Sequence, residues 1–539
     1  MPQRPTVLQC AACTFACPTR TPGCPLKTAL ALLRSAPLVI AAVAVALLMP
    51  LAAQAQADAT RTESLPTSGM LGFEMIRLPH GERMGLVGGS LLFDVGADWG
   101  FGPAVYGAAT GQRGGFFVGG VELQRRWDLG SGFSLATGLY VGGGGGANAP
   151  VGGGLMLRPA VTFLKDLGSS FQAGLSLSSV RFPSGQISSN QLGLTLAWRS
   201  EFMHFTGSGV GGGASGSRDE APAPTTIALG RAAGLGFDRM AATVTSYSFS
   251  APEQRRISLA GARAERGTGV GGLTWGMEAA AAAQGGAAGY MEILGTAAYS
   301  IALLPEAVPS WRVGARLGAG LGGGGGIQTG GGTLIKATAI TELGLAAGWT
   351  LGAEYGALSG RSGLRARVAQ VWVGFDLEPG LDGRSGPPGK VVRTEWVAAL
   401  QHHTRALRTD GLTRSLDTIG LKLNRYIGDY VYLSGQAHSA FAGGAGAYSV
   451  GLVGAGLSTS ARAPFRVGAE LLVGAAGGGG VQTAGGAITQ AVLWTGWSPS
   501  PTQEWRAGIG TVKPLRGGGS GSPVAELSWS RSFGMAGRR

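Results

Sequence analysis

Apolar and polar positions alternate with a period of two along the chain after residue 60. Phe171 to Ser178 and Leu192 to Trp198 are clear examples, in which large apolar side chains take every second position and small or polar residues take the others. Because successive side chains of a strand point to opposite faces, this period predicts β-strands with one apolar face. No run after residue 60 is long and apolar enough to predict a membrane helix.

An internal repeat organises these strands. Trp311–Gly332 and Phe465–Gly486 align without gaps, with 14 identities in 22 positions, and Phe133–Gly154 is a weaker third copy. A period of this length indicates duplicated sheets or domains, because solenoid repeats are much shorter. Each repeat offers about eight strands. In the third repeat the predicted strands are Thr394–Ala406, Asp417–Gly428, Tyr430–Ala442, Tyr448–Ser460, Phe465–Gly474, Ala487–Trp497, Glu504–Pro514 and Val524–Phe533.

The predicted fold is therefore all-β: a transmembrane antiparallel β-barrel of about 24 strands, built from three eight-strand repeats. Three eight-stranded barrels in series are the alternative, because eight strands can close around an interior that side chains fill. The predicted β repeats are 56–206, 237–377 and 393–539. A Gly/Ser/Pro-rich linker or loop at 207–236 and a second linker or loop at 378–392 separate them.

Residues 1–55 predict a signal peptide with a long N-terminal region. Lys27 and Arg34 precede an apolar run that ends at Leu51, and a small-x-small cleavage site follows it. We expect cleavage after Ala55 or Ala57. All four cysteines precede this site, so the mature chain contains no cysteine and needs no disulfide in an oxidising compartment.

Composition supports a membrane protein. Charged residues make up 14% of the chain, against about 25% in ordinary soluble domains, and glycine contributes 99 residues. This suits a barrel whose lipid-facing side chains alternate with small or polar ones. The net charge is +13, but the basic residues are scattered and do not form a patch with aromatic residues. No nucleic-acid partner is therefore expected.

The last predicted strand carries a family resemblance. Ala525, Leu527, Trp529 and Phe533 share one face, and serine residues share the other face with Glu526. In this the chain resembles the porin-like β-barrel proteins of the Gram-negative outer membrane, whose alternating, aromatic-bearing final strand is a signal for the insertion machinery. The resemblance implies a location in the bacterial outer membrane. It also implies outer-membrane lipid, the barrel-insertion machinery and periplasmic chaperones as partners, and it leaves the subfamily and the oligomeric state open.

No motif in the sequence predicts catalysis or metal binding. His402 and His403 are adjacent, so in a strand they would face opposite ways and would not share a metal. We therefore expect no metal or other cofactor, and we predict that the chain is not an enzyme. A barrel-embedded lipid hydrolase is an alternative, since some outer-membrane barrels act on lipids with a serine–histidine pair. His402 and His438 are the histidines to test for it.

Two sets of residues are candidates for a pore. The first set consists of basic residues in predicted strands, which would favour anions if they line a water-filled lumen: Arg158, Arg365, Arg367 and Lys422. The second set ends the repeated glycine runs, which either fold inward as a constriction or form simple hairpin turns: Gln328, Thr329, Gln482 and Thr483. The predicted function is a passive channel or export conduit for polar solutes. The alternative is a structural or surface-binding protein made of three small closed barrels.

Overall fold

A computed structural model of the chain describes residues 61–206, 237–376 and 388–538, apart from short gaps at 169, 251–254, 305, 307, 346–347, 362, 428, 461–462 and 517–520. The predicted signal peptide, its cleavage site at Ala55 and most of the two predicted linkers lie outside the described residues. No helix among the described residues is long and apolar enough to cross a membrane.

The described residues form 24 β-strands and one short 3-10 turn, Pro79–Gly81. Sheet I contains β1 (Arg61–Arg77), β2 (Arg83–Gly96), β3 (Trp99–Thr110), β4 (Phe117–Gly130), β5 (Phe133–Gly145), β6 (Met156–Asp166), β7 (Phe171–Arg181) and β8 (Ser188–Thr206). Sheet II contains β9 (Arg239–Phe249), β10 (Arg256–Gly267), β11 (Leu273–Gln284), β12 (Met291–Leu304), β13 (Val308–Gly323), β14 (Thr333–Gly344), β15 (Trp349–Gly360) and β16 (Arg365–Asp376). Sheet III contains β17 (Pro388–Leu407), β18 (Thr413–Tyr426), β19 (Val431–Ala442), β20 (Ser449–Ser458), β21 (Phe465–Gly477), β22 (Ala487–Ser500), β23 (Gln503–Pro514) and β24 (Ser522–Arg538).

Each sheet closes on itself through antiparallel pairing of its first and last strands. β1 pairs with β8, β9 pairs with β16, and β17 pairs with β24. One residue pair, Phe205 with Gly534, links β8 of sheet I to β24 of sheet III. The predictions of an all-β fold, of antiparallel pairing and of 24 strands in three groups of eight are therefore confirmed. Closure leaves few unpaired strand edges, which is how antiparallel sheets avoid sticking to other chains.

The two ends of each sheet differ in their connections. At one end, which we call the turn end, some strands are joined by only two residues, as at 97–98, 131–132 and 501–502. The first and last strands of every sheet also begin and end there, because each sheet has an even number of strands. At the opposite loop end, the longest connections are 146–155, 324–332 and 478–486.

Burial is inverted relative to a water-soluble protein. Leu177, Leu194 and Leu471 on the outer faces are each 64% exposed, whereas Arg263 and Arg466 inside the sheets are 1% exposed. Apolar side chains also close the interior of each sheet at the loop end, where Phe116, Tyr290 and Tyr448 from the connections pack among buried strand residues. The interior of each sheet is thus polar along the strands and apolar at the loop end.

Candidate functional site

Paired charges fill the interior of sheet II. Arg263 lies 2.8 Å from the carboxylate of Glu278 and 2.7 Å from that of Glu354, and the side chains of all three are fully buried. Arg316 lies 3.1 Å from the same carboxylate oxygen of Glu354. Lys336 forms a further close ion pair with Glu278. A buried charge is expensive unless it is paired, so this mutual pairing is what allows charges in a closed interior.

Lys422 occupies the equivalent environment in sheet III. Its ammonium lies 2.7 Å from Glu526 and 3.1 Å from Glu470, and no side chain of this triad is more than 4% exposed. The Tyr432 hydroxyl also donates to Glu470 over 2.9 Å, and the Gln401 amide donates to Glu526 over 2.8 Å. Lys422, a predicted lumen residue, lies inside the sheet, and its charge is held between two carboxylates.

A second cluster lies in sheet III between Lys422 and the turn end. Arg466 lies 2.6 Å from Glu504, and Arg506 lies 2.6 Å from Glu395 and 2.9 Å from Glu504. Arg393 lies 2.8 Å from Glu395. These five side chains span the interior, so guanidinium and carboxylate groups occupy the space that an open lumen would need.

Among the described residues, the interior of sheet I has fewer ion pairs than that of sheet II or III, and it contains a small cavity. Arg158 donates two hydrogen bonds to Glu74, both 2.9 Å long, and the Ser178 hydroxyl donates a third over 2.6 Å. Among the described residues Glu122 forms no ion pair, and it accepts a long hydrogen bond of 3.4 Å from the Tyr106 hydroxyl. The cavity beside these groups has a volume of about 30 Å³. That volume holds about one or two water molecules and is too small for a larger solute.

The glutamates of these networks are the functional side chains that the sequence analysis missed. Glu278 and Glu354 each stand among apolar or small residues, in the stretches WGMEAA and LGAEYG, and Glu395 is the one acidic residue in RTEWVA. A single acidic residue in an alternating strand is normally solvent-exposed and attracts no attention. The sequence signal that could have identified these glutamates is the recurrence of one acidic residue at an inward position in several strands.

Arg365 and Arg367 do not line an interior, which corrects their predicted placement. Both lie on the exposed outer face of β16, whereas Ala366, Val368 and Gln370 point inward. Both faces of β16 carry apolar residues, so the alternation alone did not reveal which face is enclosed.

The repeated glycine runs lie in the longest connections at the loop end. Thr329 is buried and its hydroxyl donates to the Gly322 carbonyl over 2.9 Å, which fixes the hairpin between β13 and β14. Thr483 is buried at the matching place in sheet III, and Gln328 and Gln482 are exposed. These connections reach neighbouring sheets.

Three matching contacts join the sheets in cyclic order at the loop end. In each, the connection after the fifth strand of one sheet meets the connection after the third strand of another. Gly114 of sheet I donates to the Gly330 carbonyl of sheet II over 2.8 Å, and Gly446 of sheet III donates to the Gly152 carbonyl of sheet I over 3.2 Å. Sheet II meets sheet III at Gly289, where an added Cβ would lie 2.9 Å from the nitrogen of Gly478. Backbones approach so closely here that glycine is required.

The histidines do not form a metal site among the described residues, where no group of three potential ligands converges. His402 lies on the outer face of β17 with its Nδ1 2.6 Å from Asp417, and His403 points inward. His438 is buried beside Gln436. In the part of the chain that the structure describes, no serine is hydrogen-bonded to His402 or His438, so the hydrolase alternative lacks an aligned nucleophile there.

No protein-family model and no curated protein matches the sequence. Solved structures match at low similarity. The outer membrane protein opdK from Pseudomonas aeruginosa matches with 11% identity and a TM-score of 0.21, covering 88% of this chain and 99% of its own. The siderophore receptor PirA from Pseudomonas aeruginosa matches with 11% identity and a TM-score of 0.25, covering 87% and 80%. A BenF-like porin from Pseudomonas fluorescens matches with 9% identity and a TM-score of 0.21, covering 89% and 100%.

Proposed function

We propose that the mature chain is an outer-membrane protein in which sheets I, II and III are three separate barrels, joined at their loop ends and, between sheets I and III, also at the pairing of Phe205 with Gly534. The observation that carries this proposal is the inverted burial: large apolar side chains face outward and ion pairs fill the inside. A soluble antiparallel sheet buries its apolar face. A membrane barrel exposes that face to lipid and turns polar residues inward.

The strand dimensions fit a membrane. A tilted transmembrane strand needs about 9–11 residues, and the shortest of these strands, β20, has 10. Exposed aromatic residues gather near the turn end, among them Trp99, Trp275, Trp349, Phe465 and Trp505. Such residues mark the boundary between lipid and water in membrane barrels. Short turns face the periplasm in bacterial barrels, so the loop end faces outward.

Closed interiors favour a structural or surface-binding role. Eight strands leave an interior just wide enough for side chains, and here ion pairs and an apolar layer at the loop end occupy it. The function proposed is therefore a rigid three-barrel membrane anchor that presents its joined loops at the cell surface. One wide 24-stranded barrel would instead pair β8 with β9 and β16 with β17.

Passive solute movement is the second candidate, and the cavity in sheet I favours it. Glu122 faces that cavity and forms no ion pair among the described residues, so sheet I would supply a weakly plugged path. Planar-bilayer recording of the refolded mature chain separates the candidates. The anchor predicts no steady conductance, whereas the channel predicts a conductance that Glu122→Gln changes. A large steady conductance that is insensitive to Glu122→Gln would contradict both.

A further inference from the structure

Exposed arginines gather on the outer face of sheet II at its loop end. Arg367 pairs in register with Ser248, and Ser248 pairs with Arg256, so these three side chains form one row across three strands. Arg365 lies on the same face two residues nearer the loop end. Since neighbouring strands are about 4.8 Å apart, the three arginines lie within a patch about 10 Å wide. We call Arg256, Arg365 and Arg367 patch II.

Sheet I carries a similar group at its loop end. Arg77 of β1 lies directly opposite Arg83 of β2, and both side chains are exposed. Directly opposed side chains are about 5 Å apart at Cβ, and like charges there destabilise a sheet. The neighbouring carboxylate of Glu82 is already held 2.6 Å from Arg113. We call Arg77 and Arg83 patch I.

The arginines of both patches have no ion-pair partner among the described residues. A sheet that sets like charges side by side is stabilised by an anion that bridges them. The planar guanidinium group matches phosphate oxygens with two parallel hydrogen bonds, so phosphate suits each patch better than a monovalent anion. Glu253, in the connection that precedes Arg256, lies outside the described residues.

The height of the patches points to lipid as the source of the phosphate. Phe375 contacts Trp349 near the turn end, with ring centroids 4.9 Å apart, and Arg365 lies ten residues from Phe375 along β16. Ten residues span about 34 Å, which is about 26 Å across a membrane at a strand tilt of about 40°. The apolar band of a membrane barrel is about 25 Å tall, so Arg365 reaches its far boundary.

Sheet I has a similar but shorter spacing. Gly69, which is opposite Trp198, lies eight residues before Arg77 on β1. Eight residues span about 27 Å, which is about 21 Å across a membrane at the same tilt. Below both patches the outer faces are apolar, with Val244, Val371 and Tyr355 exposed under patch II. In this arrangement the acyl chains of a lipid contact the apolar outer face of the sheet, and its headgroup contacts the arginines.

We propose that patches I and II bind phosphate-bearing lipid headgroups in the leaflet at the loop end. This proposal rests on the proposed membrane embedding. Each arginine near a membrane surface contributes about 1 kcal/mol toward anionic lipid, which is about fivefold in affinity. Removing all three charges of patch II therefore weakens binding at that site by about 100-fold.

The test compares lipid retention by native mass spectrometry for the mature chain in a neutral detergent. The wild type, the triple variant Arg256→Gln/Arg365→Gln/Arg367→Gln and the control Arg361→Gln are titrated with phosphatidylglycerol, with a neutral galactolipid and with inorganic phosphate. Arg361 is exposed at the same end of sheet II but lies in the connection before β16. We expect one class of phosphatidylglycerol adducts to be lost in the triple variant alone, and galactolipid retention to be the same in all three proteins.

Equal retention of phosphatidylglycerol by the wild type and the triple variant would overturn the proposal. Inorganic phosphate that displaces the lipid at equal concentration would also overturn it, because the patches would then be sites for free phosphate. Insertion into phosphatidylglycerol vesicles is measured in parallel by heat-modifiable gel migration. A wild type that does not insert contradicts the membrane embedding itself, whereas insertion of both proteins with equal lipid retention contradicts the lipid site alone.

Discussion

Replacing Lys422 with methionine removes the ammonium group that bridges Glu470 and Glu526 inside sheet III. Each contact of about 3 Å has a Coulomb energy of about 5–6 kcal/mol at an effective dielectric constant of about 20. The desolvation of the lysine offsets most of that attraction. Removing one partner of a buried pair leaves uncompensated charge and typically destabilises a protein by about 3–5 kcal/mol. We expect a loss of that size in the free energy of unfolding of sheet III.

The assay is urea unfolding in detergent micelles. The three sheets need not unfold in one transition, so a thiol reporter at the buried position Ala440 (Ala440→Cys) follows sheet III alone. Adding Glu470→Gln and Glu526→Gln to Lys422→Met should recover most of the lost stability, because no charge is then left unpaired. The control is Arg414→Gln, whose pair with Asp410 is about half exposed; we expect a change of about 0–1 kcal/mol there.

Two results would refute this reasoning. One is a Lys422→Met variant whose unfolding free energy lies within about 1 kcal/mol of the wild-type value, which is the size expected for an exposed pair. The other is a triple variant that is less stable than Lys422→Met. Either result would mean that the network contributes nothing as a charge-balanced unit.

Two further predictions concern the connections between strands. Gly115→Val should break the contact between sheets I and II. The φ of Gly115 is +92°, and an added Cβ would lie 2.2 Å from a backbone nitrogen of sheet II. We therefore expect faster hydrogen exchange at the Gly114 amide in this variant. Gly96→Val is the control, because Gly96 also has a positive φ (+96°) but nothing lies within 4 Å of an added Cβ. If the Gly114 amide stays equally protected from hydrogen exchange in both variants, the contact is refuted. The hydrogen bond from the Leu412 amide holds the pKa of the Asp410 carboxyl below its ordinary value of 3.8. The ionised carboxylate therefore stabilises the turn fully above pH 3.8, and this stabilisation is lost as the pH falls through the lowered pKa. The Leu412 amide chemical shift should therefore titrate with a midpoint below 3.8, and a midpoint at or above 3.8 would count against the hydrogen bond.

Individual strands were predictable from local pattern. In the third repeat, the predicted strand Tyr430–Ala442 is observed as Val431–Ala442, and Ala487–Trp497 is observed as Ala487–Ser500. The period of two and the glycine- or serine-rich turns carry this information within about ten residues of sequence. The outward placement of Leu175 and Leu177 followed from this alternation together with the predicted membrane barrel.

The closure of the sheets and the inward charges were not predictable in the same way. The pairing of β17 with β24 joins residues more than 100 positions apart, such as Leu400 and Leu527, and no local pattern specifies the partner of a strand. Arg367 was assigned to a lumen because both faces of its strand carry apolar residues. Glu278 and Glu354 are far apart in the sequence, and only the folded sheet places both of them against Arg263.

The most direct test of three separately closed barrels is a disulfide across one closing pair in the full mature chain. Val244 of β9 and Val371 of β16 lie opposite each other on the outer face of sheet II, 58% and 56% exposed. In one wide 24-stranded barrel, seven strand spacings, about 34 Å, would separate them. The predicted mature chain has no other cysteine, so Val244→Cys/Val371→Cys gives an unambiguous product after mild oxidation. The proposed arrangement predicts a rapid intramolecular disulfide, seen as faster migration on a non-reducing gel; a folded, membrane-inserted variant whose thiols both stay free would contradict it.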